Sequence, residues 1–304
     1  MTLLRGRLAR VGAVVIALLL VVYAGISYRY ADTLSLVKRH AIEKPATLVA
    51  PTHEDVSFTT SDGLTLKGWW FTAPRFRDRA VVFVHGKDQD RIDSSFDPAP
   101  NAKLLLSDGY DVLLFDLRGH GESQGQRWGL GGTEALDVAA AVDLAAAKAH
   151  LARSRVAVIG ESMGASSALM ALRYVPDVGP MVLDSAYESA RMVVDEDAPA
   201  VSGLPAFFTP GMVLMARLAF GVDIDGVRPI DEVRAHPDRA FLFIQCTADT
   251  TVNEHHGIDL KAASADPQTE LWLVPGCEHV RAFTTHPAEW QQHVTSFLER
   301  QLGP

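Results

Sequence analysis

Gly160-Glu161-Ser162-Met163-Gly164 lies between an apolar run at residues 156–159 and a helix-like stretch at 165–174. A G-x-S-x-G turn joining strand to helix restricts the fold more than any other segment of the chain. The turn is so tight that its serine takes a strained backbone conformation, with the oxygen thrust out above a sheet. Side chains two residues to either side would collide with the adjoining strand and helix, so glycine is the residue that fits. Taken alone, a match with two wildcards also describes an ordinary turn with an exposed serine. The rest of the chain discriminates between the two.

That remainder alternates. Residues 56–59 and 64–71 flank Ser61-Asp62-Gly63, which predicts a β-hairpin. Apolar runs at 80–84, 111–115, 155–159, 180–183, 240–246 and 270–274 predict buried strands, with Pro180 tolerable as the first residue of its strand. Helical patterns at 101–107, 134–150, 162–174, 253–263 and 287–301 separate them, and Thr133 is expected to cap the helix that opens at Glu134. Strands that are continuously apolar predict a mostly parallel sheet with helices on both faces, the early hairpin forming an antiparallel edge. Residues 188–238 interrupt this order and are far longer than an ordinary connection. They carry Leu204, Phe207, Phe208, Met212, Leu218 and Phe220, which predicts a helical cap over the carboxyl ends of the strands, part of it lining an acyl pocket.

The N-terminus differs in kind. Residues 11–28 are uncharged and dominated by Val, Leu, Ile and Ala, after Arg5, Arg7 and Arg10. Such a helix spans about 27 Å, close to the hydrocarbon thickness of a bilayer. A retained signal-anchor is favoured over a cleaved signal peptide or a buried core helix. Val22-Tyr23-Ala24 has the form of a cleavage site, but the apolar run continues past it. The expected division is a transmembrane anchor over 1–30, a tether over 31–51 and a folded domain over 52–302. The early arginines predict a cytoplasmic N-terminus and an extracytoplasmic domain, an asymmetry weakened by Arg29, Lys38 and Arg39. A net charge of −9, with no basic stripe beyond the N-terminus, argues against a nucleic-acid partner.

An activated serine needs a base, and the base needs an orienting group. Asp249 lies three residues past the strand ending at Cys246, and His279 follows the strand ending at Val274 in Gly276-Cys277-Glu278-His279. Both, like Ser162, fall at carboxyl ends of parallel strands, where open α/β sheets place their sites. The chain order serine, acid, histidine is that of α/β-hydrolases.

Over residues 52–302 the chain resembles that superfamily. The matching features are His85-Gly86, Asp116-Leu117-Arg118-Gly119-His120-Gly121-Glu122-Ser123, the serine turn, Asp184-Ser185-Ala186-Tyr187 and the acid and histidine loops. Within it, the chain most resembles membrane-anchored serine hydrolases of the "α/β-hydrolase domain-containing" type. The resemblance implies Ser162 as nucleophile, His279 as general base and acid, and Asp249 as the carboxylate holding the imidazole. It implies an oxyanion hole from the backbone N–H groups of Met163 and Lys87. The implied reaction is hydrolysis of an ester or thioester, acyl or lipid-like, through an acyl-enzyme, with no metal or organic cofactor. His85-Gly86-Lys87-Asp88-Gln89-Asp90 is more charged than the glycine-rich run of many relatives. A prolyl oligopeptidase-like peptidase shares the triad order, although the chain has no room for a propeller. A catalytically idle binding protein is the other alternative, and the intact serine, acid and histidine argue against it.

Further candidates take plainer readings. His85 and His120 are expected to organise loops, and Asp184 is an alternative acid. His255 and His256 beside Glu254 are expected to open a helix, since adjacent residues do not share a helix face for ligation. Gly129-Leu130-Gly131-Gly132 lacks the strand and spacing of a dinucleotide loop. Cys246 and Cys277 end strands expected to be neighbours, which suits either a disulfide or two buried thiols.

Overall fold

The computed structural model describes residues 2–95 and 97–303, with side chains from residue 7 onward, so the side chain of Arg5 lies outside the described residues. Eight strands form one sheet: β1 (Glu54–Thr59), β2 (Thr65–Phe71), β3 (Arg79–Val84), β4 (Tyr110–Phe115), β5 (Val156–Glu161), β6 (Met181–Asp184), β7 (Phe241–Cys246) and β8 (Glu270–Val274). Their spatial order is β1-β2-β4-β3-β5-β6-β7-β8. The hairpin β1–β2 and the β2–β4 pair are antiparallel, and all remaining pairs are parallel. Every residue of β3 through β7 is buried, which explains why these runs do not alternate in the sequence.

The helices are α1 (Thr2–Ser35), α2 (Pro98–Ser107), α3 (Glu134–Ala149), α4 (Met163–Ala171), α5 (Ala190–Ser202), α6 (Thr209–Phe220), α7 (Pro229–Ala235), α8 (Glu254–Ala263), α9 (Ala282–Thr285) and α10 (Pro287–Leu302). Successive residues of a strand point to opposite faces. Accordingly, Ala80, Val82 and Val84 join a core with Val142 of α3, Leu169 of α4 and Leu260 of α8. Val81 and Phe83 join a second core with Leu105 of α2 and Phe297 of α10. Two packed layers flank the sheet, and the carboxyl ends of its parallel strands stay free to build a site.

The insert between β6 and β7 holds α5, α6 and α7. Against it lies the N-terminal helix, which differs from the sequence expectation. The helix does not give way to a tether after residue 30 but continues to Ser35, about 51 Å in all. Its outer part is bare, with Val11 through Val22 largely exposed, whereas Ser27, Ala31 and Ser35 are buried. The Tyr23 hydroxyl donates to Phe207 O at 2.8 Å and accepts from the Gly211 N–H at 3.1 Å. Tyr28 packs on Phe220, and Arg127 pairs with Asp32 at 2.5 Å while donating to Ser35 Oγ. Residues beyond Ser35 also adhere to the domain. The Lys38 N–H donates to Asp88, and the Arg39 guanidinium donates to the carbonyls of Gly121 and Gly125. Residues 23–35 are therefore held helical by contacts with α6, so the first part of the segment 31–51 is helix, as far as Ser35.

Thr133 does not cap α3. Its backbone is already helical and its side chain makes no cap bond. The Glu134 carboxylate instead accepts the N–H groups of Gly129 and Gly131, at 2.7 and 2.9 Å. The buried carboxylate thus ties the glycine loop before α3 to the first residue of the helix.

Candidate active site

Ser162 joins β5 to α4 at φ 51°, ψ −120°, a strained conformation for a residue with a side chain. The two glycines are sterically required. A Cβ on Gly160 would lie 2.7 Å from Ala165 Cα, and one on Gly164 would lie 2.3 Å from Val84 O and 2.4 Å from His85 O. The turn thus presses helix against strand on both sides of the serine and directs Oγ away from the sheet.

His279 Nε2 lies 2.8 Å from Ser162 Oγ, and its Nδ1 lies 2.7 Å from Asp249 Oδ2. Asp249 is buried, and its Oδ1 accepts the N–H groups of Thr251 and Val252, each at 2.9 Å. This places Ser162, His279 and Asp249 in one hydrogen-bonded chain. Asp184, the alternative acid, is fully buried at the end of β6 and does not hold the imidazole. Burial pushes its carboxyl up to about 7, with Ser185 Oγ donating to Oδ1 at 3.1 Å. Its role is local, because Ser185 Oγ in turn accepts the N–H of Val280, next to His279.

The loop bearing Lys87 is fixed from below. His85 Nδ1 faces Gly86 O at 2.7 Å while Nε2 accepts the Leu117 N–H at 3.0 Å. His120 Nδ1 faces Arg118 O, and its Nε2 accepts the Asp88 N–H. Burial lowers both histidines, His120 to about 4, so they are neutral loop organisers. Asp116 accepts from the Arg91 guanidinium at 2.6 Å and from the Arg91 N–H at 2.9 Å. For Asp116, burial alone would raise the carboxyl, but the Arg91 bond and charge outweigh it and hold it low. The Gly86 N–H is taken by Gln89 and Glu161. The Lys87 N–H has no partner among the described residues, and Met163 as the first residue of α4 has no carbonyl in its own helix to bond. The Lys87 ammonium pairs with Asp88 at 2.9 Å beside the Trp128 ring.

Ser162, Met163, Lys87 and His279 open onto a cavity of about 310 Å³. Its walls are mostly apolar, with Val193, Val194, Met212 and Val213 from the cap and Leu130 and Val252 from the body. Ala31, Leu34 and Ser35 of α1 complete it. The sequence reading missed these three. A signal was present: residues 23, 27, 31 and 35 recur every four positions as Tyr, Ser, Ala and Ser within an otherwise Leu/Val-rich helix, which marks a packed face.

Cys246 and Cys277 form a disulfide that joins the end of β7 to the histidine loop. The Ala248 N–H donates to Cys277 O at 3.0 Å, so the acid and histidine loops are linked by a covalent bond and a backbone bond side by side.

A family of the alpha/beta hydrolase fold matches residues 79–214. Esterase Pf2001 of Pyrococcus furiosus superposes with a TM-score of 0.72 at 27% identity, covering 88% of this chain and 100% of that one. The chain belongs to the α/β-hydrolase superfamily. Esterase RhEst1 of Rhodococcus shares the same fold at a TM-score of 0.56 and 20% identity, over 81% of this chain and 99% of that one. Among curated proteins, the uncharacterized protein YfhR of Salmonella typhi is 25% identical over 268 residues, 82% of each chain. An uncharacterized Mycobacterium tuberculosis protein is 34% identical over 152 residues, 49% of this α/β-hydrolase and 50% of the relative.

Proposed function

We propose that this α/β-hydrolase is a membrane-anchored serine esterase that cleaves an ester or thioester with an apolar acyl group. The hydrogen-bonded chain Ser162–His279–Asp249 at the floor of an apolar cavity carries the reading. In this reading His279 removes the proton as Ser162 Oγ attacks the carbonyl carbon, and Asp249 stabilises the imidazolium while staying ionised. The oxyanion is held by the N–H groups of Met163 and Lys87. His279 then protonates the leaving group and activates the water that releases the acid.

The esterase name of the Pyrococcus relative supports ester chemistry. The segment Arg7–Ser35, with mean hydropathy 2.4 and only 6% of its apolar window buried, supports a membrane anchor. Leu34, in the cavity wall, is twelve residues beyond the bare stretch, about 18 Å along the helix. A site held that close to a bilayer suits substrates with a fatty or lipid-like acyl chain. The disulfide supports an extracytoplasmic position for the domain.

The test is turnover of p-nitrophenyl esters of increasing acyl length, with labelling by a fluorophosphonate probe and with peptide substrates as the comparison. Ser162→Ala should lose both labelling and turnover. Undiminished ester hydrolysis by that variant removes the mechanism, and a preference for peptides selects the prolyl oligopeptidase-like alternative.

A further inference from the structure

Beyond the cavity, the start of α8 meets the cap at a cluster that the hydrolytic chemistry does not use. His255 and His256 are adjacent in sequence, yet their ring centroids lie 4.1 Å apart and both face Glu188 and Glu196 from the insert. The two histidines do open a helix, as expected, and carboxylates from a different element reach both rings.

The arrangement has an inner and an outer side. On the inner side, Glu188 Oε1 is 3.8 Å from His255 Nδ1 and 3.7 Å from His256 Nδ1, and Asp259 Oδ2 is 3.7 Å from His255 Nδ1. Ligand atoms of Glu188, His255 and His256 all lie within 4.8 Å of one another. Ligands about 2.0–2.1 Å from a tetrahedral zinc are separated by about 3.4 Å, so the two pairs that Glu188 makes with the histidines need a few tenths of an ångström of contraction. On the outer side, Glu196 Oε1 lies 3.0 Å from His255 Nε2, and Oε2 lies 3.5 Å from His256 Nε2. Glu196 is itself held by Asn253 at 2.8 Å. A carboxylate facing the far nitrogen of each ring is the usual support of a metal-bound imidazole, because it fixes the tautomer that turns the other lone pair inward.

Two further observations favour a cation here. His256 is 0% exposed; its Nδ1 has no hydrogen-bond partner among the described residues, and its Nε2 reaches only Glu196, at 3.5 Å. A buried imidazole nitrogen left unpaired is costly. In addition, none of Glu188, Glu196 and Asp259 pairs with a lysine or arginine among the described residues.

We propose that His255, His256 and Glu188 bind one divalent transition-metal ion, with zinc best matched, supported by Glu196. Two imidazoles and a carboxylate in compact array suit Zn²⁺ over the hard oxygen-only cations. None of these residues lines the cavity at Ser162, so the function of the ion is mechanical. It joins Glu188 at the root of the cap to α8, which opens just after the Val252 N–H that holds Asp249. The ion would pin the cap and the acid loop to one another.

The test uses the full chain in detergent, stripped with a chelator and titrated with Zn²⁺ alone against a chromophoric competitor. One ion per chain with a Kd tighter than about 1 μM is expected, equivalent to about 8 kcal/mol of binding. His255→Ala and Glu188→Gln should each weaken the affinity about 100-fold, and Glu196→Gln about 10- to 100-fold. His255 is partly exposed, so its variant should keep the fold. Circular dichroism checks this independently of metal. Replacement by Co²⁺ should give the visible bands of a tetrahedral ion, lost in His255→Ala. Weaker or non-stoichiometric uptake by the wild type, or equal uptake by the His255 and Glu188 variants, overturns the proposal. Ser162→Ala should bind the ion undiminished, which keeps this outcome separate from that of the hydrolytic reading.

Discussion

Replacing Cys246 and Cys277 together by alanine removes a cross-link whose effect follows from its position. The two residues are 31 apart in sequence, and the loop they close contains the Asp249 turn, α8 and β8. In the chain-entropy account, a loop of this length restricts the unfolded ensemble by about 3.7 kcal/mol at 25 °C. Both sulfurs are buried between β7, β8 and α10, so alanine also forfeits some packing. With a urea slope of about 2–3 kcal/mol/M, the midpoint should fall by about 1–2 M. The assay is urea unfolding followed by tryptophan fluorescence, comparing the oxidised protein, the same protein after reduction, and the double variant. The variant should unfold at or slightly below the midpoint of the reduced protein, by the packing that alanine forfeits. Activity should fall less than stability at low urea, because the Ala248 N–H bond to Cys277 O does not depend on sulfur and still aligns the two loops. An unchanged midpoint, at an unchanged slope, would refute the reasoning, since the loop would then contribute nothing to the unfolded-state entropy.

Three further perturbations probe the site. Gly164→Ala forces a Cβ against the backbone oxygens of Val84 and His85, which belong to the sheet and cannot retreat; a loss of about 3 kcal/mol and of all turnover is expected, and near-native melting would show the turn to be softer than drawn. Asp249→Asn should leave the fold intact but lower kcat by about 10⁴, because the imidazole loses its orienting charge and tautomer; a loss under tenfold would mean that another acid serves. Asp184 has a folded-state value raised by burial to about 7 from 3.8, so its stabilisation is full below the unfolded value and lost as pH rises toward 7. Wild type should therefore lose a few kcal/mol relative to Asp184→Asn between pH 4 and pH 7 in urea titrations, and parallel curves would show that burial does not raise the Asp184 carboxyl.

How much of this was readable in the sequence depended on whether the governing contacts were local. The serine turn was legible because its glycines are dictated by an adjoining strand and helix, within five residues. The parallel strands were legible because burial on both faces leaves an unbroken apolar run. The split between Asp249 and Asp184 was harder, since both are carboxylates at strand ends; His279 Nδ1 lies 2.7 Å from Asp249, a contact between distant loops that leaves no trace in spacing. Thr133 was misread because its hydroxyl donates to the Glu134 carboxylate instead of accepting from an N–H of the helix. The continuation of α1 to Ser35 was obscured because the apolar run ends at Tyr28 and polar residues follow. Contacts with α6 and Arg127, about 95 to 190 positions away, hold it. A separation of about 60 to 70 positions hid Glu188 and Glu196 from His255 and His256.

The helix at the N-terminus links these observations. A simple anchor would need only the bare stretch through Val22, and a flexible leash would follow it. Instead, Tyr23 bridges Phe207 O and the Gly211 N–H, Arg127 grips Asp32 and Ser35, and Ala31, Leu34 and Ser35 line the cavity above Ser162. The N-terminal helix is therefore also a wall of the site, and the cap is packed against it. Hydrogen bonds of this kind contribute about 1 kcal/mol each at most where part-buried, and together with the packed stripe they fix residues 23–35 on the domain. If α1 is the anchor of the proposed function, the cavity keeps a fixed orientation to it. In that reading an acyl chain leaving the bilayer alongside α1 would meet apolar side chains from Leu34 inward, with the serine hydroxyl at the end of the path.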